Sequence, residues 1–412
     1  MSNKNFPGDV VTDILARLPI KSLLRFRCVC KPWCSTINDT KFIHMHLNIR
    51  RTAASIEGYV IYKPLDTGSY CKHIFSRCDG NFAERETVQL PLKCASGKPF
   101  NVVGSCNGLL CLTDSVYPNF GCTIYVWNPF IGKFKAINNS CVPRLLFNRD
   151  CSNVVLGFGF DAQNIDYKVV RVLNFTDLPL PDVEVYNLST DSWRRIEADV
   201  PCVTWTKPLS STFFNGASHW IVFRDGYGRF IASFDFHNEV FGEIMLPNRF
   251  KENDQELTLG VFKDSLGMIV FPDEREQFAL RFVWVMKEYG ISDSWVNLFT
   301  IGPLEKIGRP LGFGWDNEVL FRDYEEKLFS YCHDTRGSRH IGMRSILDAF
   351  TYVESLVLVN EGHNVSEQAK PFSGVTYKGV SIFLNKEEEE EECCELWSNK
   401  QNELHELRSF FY

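Results

Sequence analysis

Tyr125-Val126-Trp127-Asn128-Pro129-Phe130-Ile131-Gly132-Lys133-Phe134-Lys135 reads as two short strands around a tight turn. Apolar and aromatic residues flank Asn, Pro and Gly, the residues that supply turn geometry. The unit returns at Val183 to Arg194, Ala232 to Gly242 and Val283 to Trp295, more weakly at Lys327 to Asp334, and most weakly near Lys72 to Arg77. Corresponding positions lie about 45 to 60 residues apart, the spacing of repeated β units.

A second signature precedes many of these hairpins. It is Cys106-Asn107-Gly108-Leu109-Leu110-Cys111-Leu112, then Leu156 to Asp161, Phe214 to Trp220, Leu259 to Met268 and Leu311 to Asp316. Each sets Gly or Asn at a turn beside apolar strands. Groups of about four strands at a period near 50 point to propeller blades. Six copies of the hairpin predict six blades; a β-sandwich pair or a seven-bladed ring with one degenerate blade are the alternatives. The apolar run Thr351 to Val359 has no hairpin after it and is expected to complete the first blade and close the ring.

Residues 1–50 have a different texture. Pro7 opens a helix where its missing N–H costs little, and Asp9 suits the first turn. Val10, Val11, Ile14, Leu15 and Leu18 recur at three- and four-residue spacing until Pro19 stops the helix. A second short helix carries Ile20, Leu23, Leu24 and Cys28, and a third segment follows Lys31-Pro32-Trp33 with Ile37, Phe42, Ile43 and Leu47. Helices this short cannot hide so many apolar residues among themselves. They either cap the rest of the chain or dock into a partner.

These residues resemble the F-box family at Pro7, Asp9, Ile14-Leu15, Leu18-Pro19, Lys21-Ser22-Leu23, Arg25 to Lys31 and Trp33, with Phe6 where the family more often has Leu. The resemblance implies binding to the Skp-type adaptor of a cullin–RING ubiquitin ligase, with Leu15, Leu18, Pro19, Ile20, Leu23, Leu24, Val29 and Trp33 as the adaptor-facing residues. Behind it, Cys106 to Leu112, Trp127-Asn128-Pro129, Asp166-Tyr167-Lys168-Val169-Val170 and Tyr352 to Leu358 resemble the type 1 F-box-associated domain of plants, found in S-locus F-box proteins and related to kelch-like repeats. The fold expected is therefore a small all-α F-box module (1–50), a large all-β domain forming a six-bladed β-propeller-like ring (55–360), and a polar, acidic tail (361–412) expected to be disordered. That tail holds the six glutamates Glu387 to Glu392.

The totals narrow the function. The chain has 412 residues, a net charge of −7 and no obvious basic face, which argues against a nucleic-acid partner. No apolar run of about 18 residues suggests a membrane span, and no leader pattern is visible, so a cytoplasmic, possibly also nuclear, location is expected. The 15 cysteines are odd in number and scattered, and read as reduced thiols. The pairs Gly157/Gly159 and Gly312/Gly314 recur with the repeat and lack the third glycine of a nucleotide loop. No catalytic constellation, metal set or cofactor motif emerges, so a non-catalytic role is expected.

The resemblance implies a substrate receptor of an SCF-type E3 ligase, with cullin and RING subunits engaged indirectly, or a scaffold that binds the adaptor without cullin. Recognition of ribonucleases in self-incompatibility and regulation of immune receptors are branches of the leading class. Target contacts are expected from irregular loops bearing aromatics and arginines: Tyr117, Phe120, Trp205, Arg224, Tyr227, Arg229, Arg249 and Phe250.

Overall fold

The computed structural model describes residues 7–52, 59–64, 74–79, 85–89, 100–114, 123–137, 151–175, 180–201, 204–207, 210–251, 255–271, 280–302, 307–315, 318–323, 325–341 and 346–357. The acidic tail, Tyr117 and Phe120 lie outside these residues.

The helices are α1 (Gly8–Ala16), α2 (Ile20–Phe26), α3 (Lys31–Asn38) and α4 (Thr40–Thr52). The single third segment read from the sequence is in fact two helices. Asp39 is extended, and its carboxylate accepts a hydrogen bond of 3.1 Å from the Phe42 N–H. That is an N-cap, and it starts α4 afresh.

The β domain opens with β1 (Tyr59–Pro64), β2 (Ile74–Asp79) and β3 (Arg85–Gln89). Four blades of four consecutive strands and one of five follow. They are β4 (Asn101–Cys106) to β7 (Lys133–Ile137); β8 (Cys151–Asp161), β9 (Asp166–Phe175), β10 (Asp182–Asn187) and β11 (Ser192–Ile196); β12 (Thr204–Trp205), β13 (Thr212–Phe214), β14 (Ala217–Arg224), β15 (Gly228–Asp235) and β16 (Val240–Met245); β17 (Glu256–Phe262) to β20 (Trp295–Ile301); and β21 (Ile307–Phe313), β22 (Glu318–Asp323), β23 (Leu328–Cys332) and β24 (Gly337–His340). The last strand, β25 (Ile346–Tyr352), pairs with β1 in a sheet ordered β25-β1-β2-β3.

The expected six-bladed ring is corrected: the propeller has five blades, and a further composite sheet joins its ends. Five blades are continuous repeats, and both sequence signatures mark them: one falls at the junction of the first and second strands, the other at the hairpin of the third and fourth. The remaining sheet is not a repeat of that kind. It joins the two ends of the domain, which is why only the faint Lys72 to Arg77 segment hinted at it. Neighbouring sheets touch in succession, β4 to β8, β8 to β14, β14 to β17, β17 to β21, β21 to β25 and β25 to β4, the third blade through its second strand, so the composite sheet closes the circle.

The closing segment is also shorter than expected. The strand ends at Tyr352, and residues 353–357 run on without strand pairing. Asn128 holds them: its Nδ2 donates to the carbonyls of Ser355 (3.0 Å) and Val357 (3.1 Å), and its Oδ1 accepts from the Tyr352 hydroxyl (3.1 Å). The turn at Asn107-Gly108 makes room beside them. Gly108 has φ +79°, and a Cβ there would lie 2.4 Å from that of Ser355.

Middle strands are largely buried because both faces of each sheet are covered by neighbouring blades; every residue of Leu109–Thr113 and Ile124–Asn128 is buried. Outer strands face water, as β24 does along its whole length.

Candidate functional site

Two faces of the helical module have different fates. Leu15, Ala16, Ile20, Leu23, Ile37, Phe42, Ile43 and Leu47 are buried in one cluster that continues into Cys106, Leu109, Phe158 and Tyr167 of the first two blades. The His44 ring stacks on Phe160 at 4.7 Å and lies 6.3 Å from Tyr167. The helices therefore do cap the β domain, on the end that carries the first-to-second-strand turns. His46 is fully buried and donates from Nε2 to the Leu18 carbonyl at 2.9 Å, tying α4 to the link between α1 and α2. Burial, followed by the Arg50 charge and against the Leu18 bond, pushes its imidazole below the usual pKa.

The other face is open. Val10 (41 % exposed) and Ile14 (53 %) sit one turn apart on α1, and Val29 (61 %) lies in the turn between α2 and α3. Of the adaptor-facing residues expected from the sequence, Pro19 and Val29 are exposed, and Leu18, Leu24 and Trp33 are half-buried, Trp33 packing on Phe26 at 5.3 Å. Leu15, Ile20 and Leu23 point into the core. Val10 and Ile14 were read as part of one apolar stripe with Leu15. The signal that separates them is that this stripe wraps more of the helix than one contact can cover.

Beneath α4, the second and third blades are locked by charge. The Lys168 ammonium reaches Asp161 Oδ2 (2.9 Å), Glu239 Oε1 (3.0 Å) and the Phe236 carbonyl (2.7 Å); Arg194 pairs with the same Glu239. Burial alone would raise the Asp161 carboxyl, but the Lys168 and Asn164 donors hold it well below the carboxylate range. Glu239 is likewise lowered by Arg194 and Lys168 against the effect of its burial.

The loop residues expected to meet a target divide. Trp205 is buried against Trp220 in an edge-on contact at 5.4 Å and belongs to the third blade's core. Arg224, Tyr227, Arg229, Arg249 and Phe250 gather where the β14–β15 turn meets the link from β16 to β17. The Arg229 N–H donates to the Lys251 carbonyl at 2.9 Å, and Arg229 Nε donates to the Phe250 carbonyl at 3.1 Å. Arg224 pairs with Glu243 and lies over Phe230; Arg249 lies 4.7 Å from the Phe250 ring centre and 5.1 Å from that of Trp284. Tyr227 is 50 % exposed. Strand alternation puts second-to-third-strand turns and blade-to-blade links at the end of the ring opposite the helices. Among the described residues no group of three His, Cys, Asp or Glu is placed to hold a metal ion, and no helix is long and apolar enough to cross a membrane.

Residues 4–45 match the F-box domain, and residues 72–377 match the F-box associated beta propeller domain. The chain belongs to this F-box-associated propeller family and carries an F-box, a domain that in general binds Skp-type adaptors. An F-box/kelch-repeat protein of Arabidopsis thaliana is 29 % identical over 370 residues, covering 87 % of this chain and 97 % of that protein. The Arabidopsis thaliana F-box protein CPR1 is 27 % identical over 403 residues, covering 86 % and 89 %. Among solved structures, TolB from Acinetobacter baumannii aligns with a TM-score of 0.46 at 13 % identity, covering 78 % of this chain and 73 % of its own.

Proposed function

We propose that the chain is the substrate-recognition subunit of an SCF-type E3 ubiquitin ligase, working in the cytoplasm or nucleus. The open face of the helical module, Val10, Ile14, Pro19 and Val29 with the half-buried Leu18, Leu24 and Trp33, takes the adaptor, and the adaptor brings cullin and RING subunits. The end of the ring away from the helices takes the target. The chain's contribution is proximity: a bound target is held at high effective concentration near the ubiquitin-loaded enzyme, with no covalent step by the receptor. The observation that carries this reading is the pair Val10 and Ile14, exposed on α1 while α4 is sealed against the blades.

Co-purification tests it. The wild-type chain is expected to retain a Skp-type adaptor, and Leu18→Ala with Pro19→Ala to lose it while the ring keeps its melting temperature. Undiminished adaptor capture by that variant sinks the assignment of this face. Cullin in the wild-type complex and ubiquitylation of captured proteins support the ligase reading; adaptor without cullin replaces it with the scaffold reading.

A further inference from the structure

The ring encloses a channel of about 540 Å³, lined by the innermost strands. This falls within the roughly 300–1,000 Å³ typical of small-molecule sites. Three cations line it: Lys207, Arg309 and Arg322. Among the described residues none of the three forms an ion pair. Asp348 is the one carboxylate among the lining residues, and Thr206 and Ser210 add hydroxyls.

The backbone brings these cations in by irregularities rather than by regular pleat. The third blade's innermost strand is split into β12 and β13, both paired with β14, and Lys207 comes from the break between them. On β21 the register runs from Ile307 opposite Asp323 to Pro310 opposite Phe321, so Gly308 and Arg309 share Arg322 as their counterpart. This is a bulge, a feature that re-aims side chains and is over-represented at functional sites. Gly308 allows the close approach: a Cβ there would lie 2.4 Å from the Arg322 carbonyl oxygen. The result sets two arginines across a strand pair, an arrangement that repels without an intervening anion. Lys207 keeps solvent access within the channel; desolvation by the surrounding atoms, then the Arg309 charge, pushes its ammonium below its ordinary pKa, with Asp348 and Glu256 opposing.

We propose that the central channel is a binding site for a small polyanion, a molecule carrying several phosphate or carboxylate groups, held by Lys207, Arg309 and Arg322. Guanidinium forks suit either oxyanion, and the surrounding hydroxyls donate to the remaining oxygens. The site is separate from the adaptor-docking face and stands whether or not that face binds an adaptor.

Calorimetric titration of the full-length protein with tripolyphosphate, and separately with citrate, tests this. Tripolyphosphate is expected to bind, with affinity falling as salt rises, and to lose at least tenfold in Arg309→Gln and in Lys207→Met, the scale of one charge-assisted contact. The exposed Lys287→Gln is expected to bind as wild type does. Because each channel variant relieves like-charge repulsion, neither should melt below the wild type without ligand, which separates lost binding from lost folding. Tighter binding of citrate with the same variant pattern keeps the site and assigns carboxylates as its source of charge. No heat from either probe, or equal weakening by Lys287→Gln, overturns the proposal.

Discussion

The two apolar faces of the helical module teach opposite lessons from similar composition. Around α4, Phe42, Ile43 and Leu47 are buried and His44 stacks on the second blade. On α1, Val10 and Ile14 stay in water although Leu15, beside them in sequence, is buried. An apolar excess in short helices posed a choice between an internal cap and an external docking surface. The structure divides that excess: the α4 side makes the cap, and the α1 side is left over. Exposed apolar residues spaced one turn apart on a helix are what a docking surface needs.

The comparison is sharpened by weakening each side in turn. The largest effect should come from the platform beneath α4. Lys168→Met removes the cation shared by Asp161 and Glu239, leaving buried carboxylates without it; a loss of about 3–5 kcal/mol is expected in denaturant unfolding. Next, Leu47→Ala opens a cavity on the sealed face and should cost about 2–5 kcal/mol, while adaptor affinity per folded molecule stays unchanged. If adaptor affinity falls with it, the two faces are not independent. Third, Ile14→Glu should leave the melting temperature within about 1 kcal/mol of wild type yet weaken adaptor binding by about 2 kcal/mol or more in a pull-down titration. Retained affinity would take α1 out of the interface.

Much of this layout was legible because repetition is a long-range signal. Five hairpins and five glycine- or asparagine-bearing signatures mark five continuous blades; Asn107-Gly108 and Asn215-Gly216 are turns in left-handed backbone, whereas Gly157, Gly159, Gly260, Gly267 and Gly312 lie within strands. The composite sheet was poorly legible because its inner strand lies about 280 residues from its neighbours in the chain, and no local pattern records that pairing. The division of α1 was illegible for a different reason. Periodicity tells which residues share a helix face, but Val10, Ile14 and Leu15 all sit on a broad stripe, and only the position of α4 and the blades decides which side is covered. The arginines around Tyr227 show the same limit. Their residue types suggested a surface, yet Arg229 spends its guanidinium on backbone carbonyls, as only the three-dimensional placement of Phe250 and Gln255 could reveal. The channel cations gave no local signal, since Lys207 comes from the third blade and Arg309 and Arg322 are brought together across a bulged strand pair of another.

The smallest expected effect is the share of His46 in the pH dependence of stability. His46 is buried and neutral, with its folded-state pKa depressed by its surroundings. A depressed folded pKa means that the unfolded chain takes up the proton first. The contribution of neutral His46 is thus whole above the unfolded value, about 6.5, and is lost as pH falls below it toward the folded value. Asp161 and Glu239 are also depressed, but their unfolded references lie near 4, so their contribution is lost only in more acidic solution. Unfolding free energies should therefore fall between pH 7 and 5, a loss that His44 and His46 of α4 share with His219 of β14, whose buried imidazole is pushed down to about 4, and a second, steeper loss should follow from the carboxylates below about pH 4. His46→Gln keeps a donor for the Leu18 carbonyl and removes its own titration, so it should shrink the first segment by the share of His46 and leave the second intact. A first segment of unchanged size in His46→Gln would remove His46 from the account of how α4 is held.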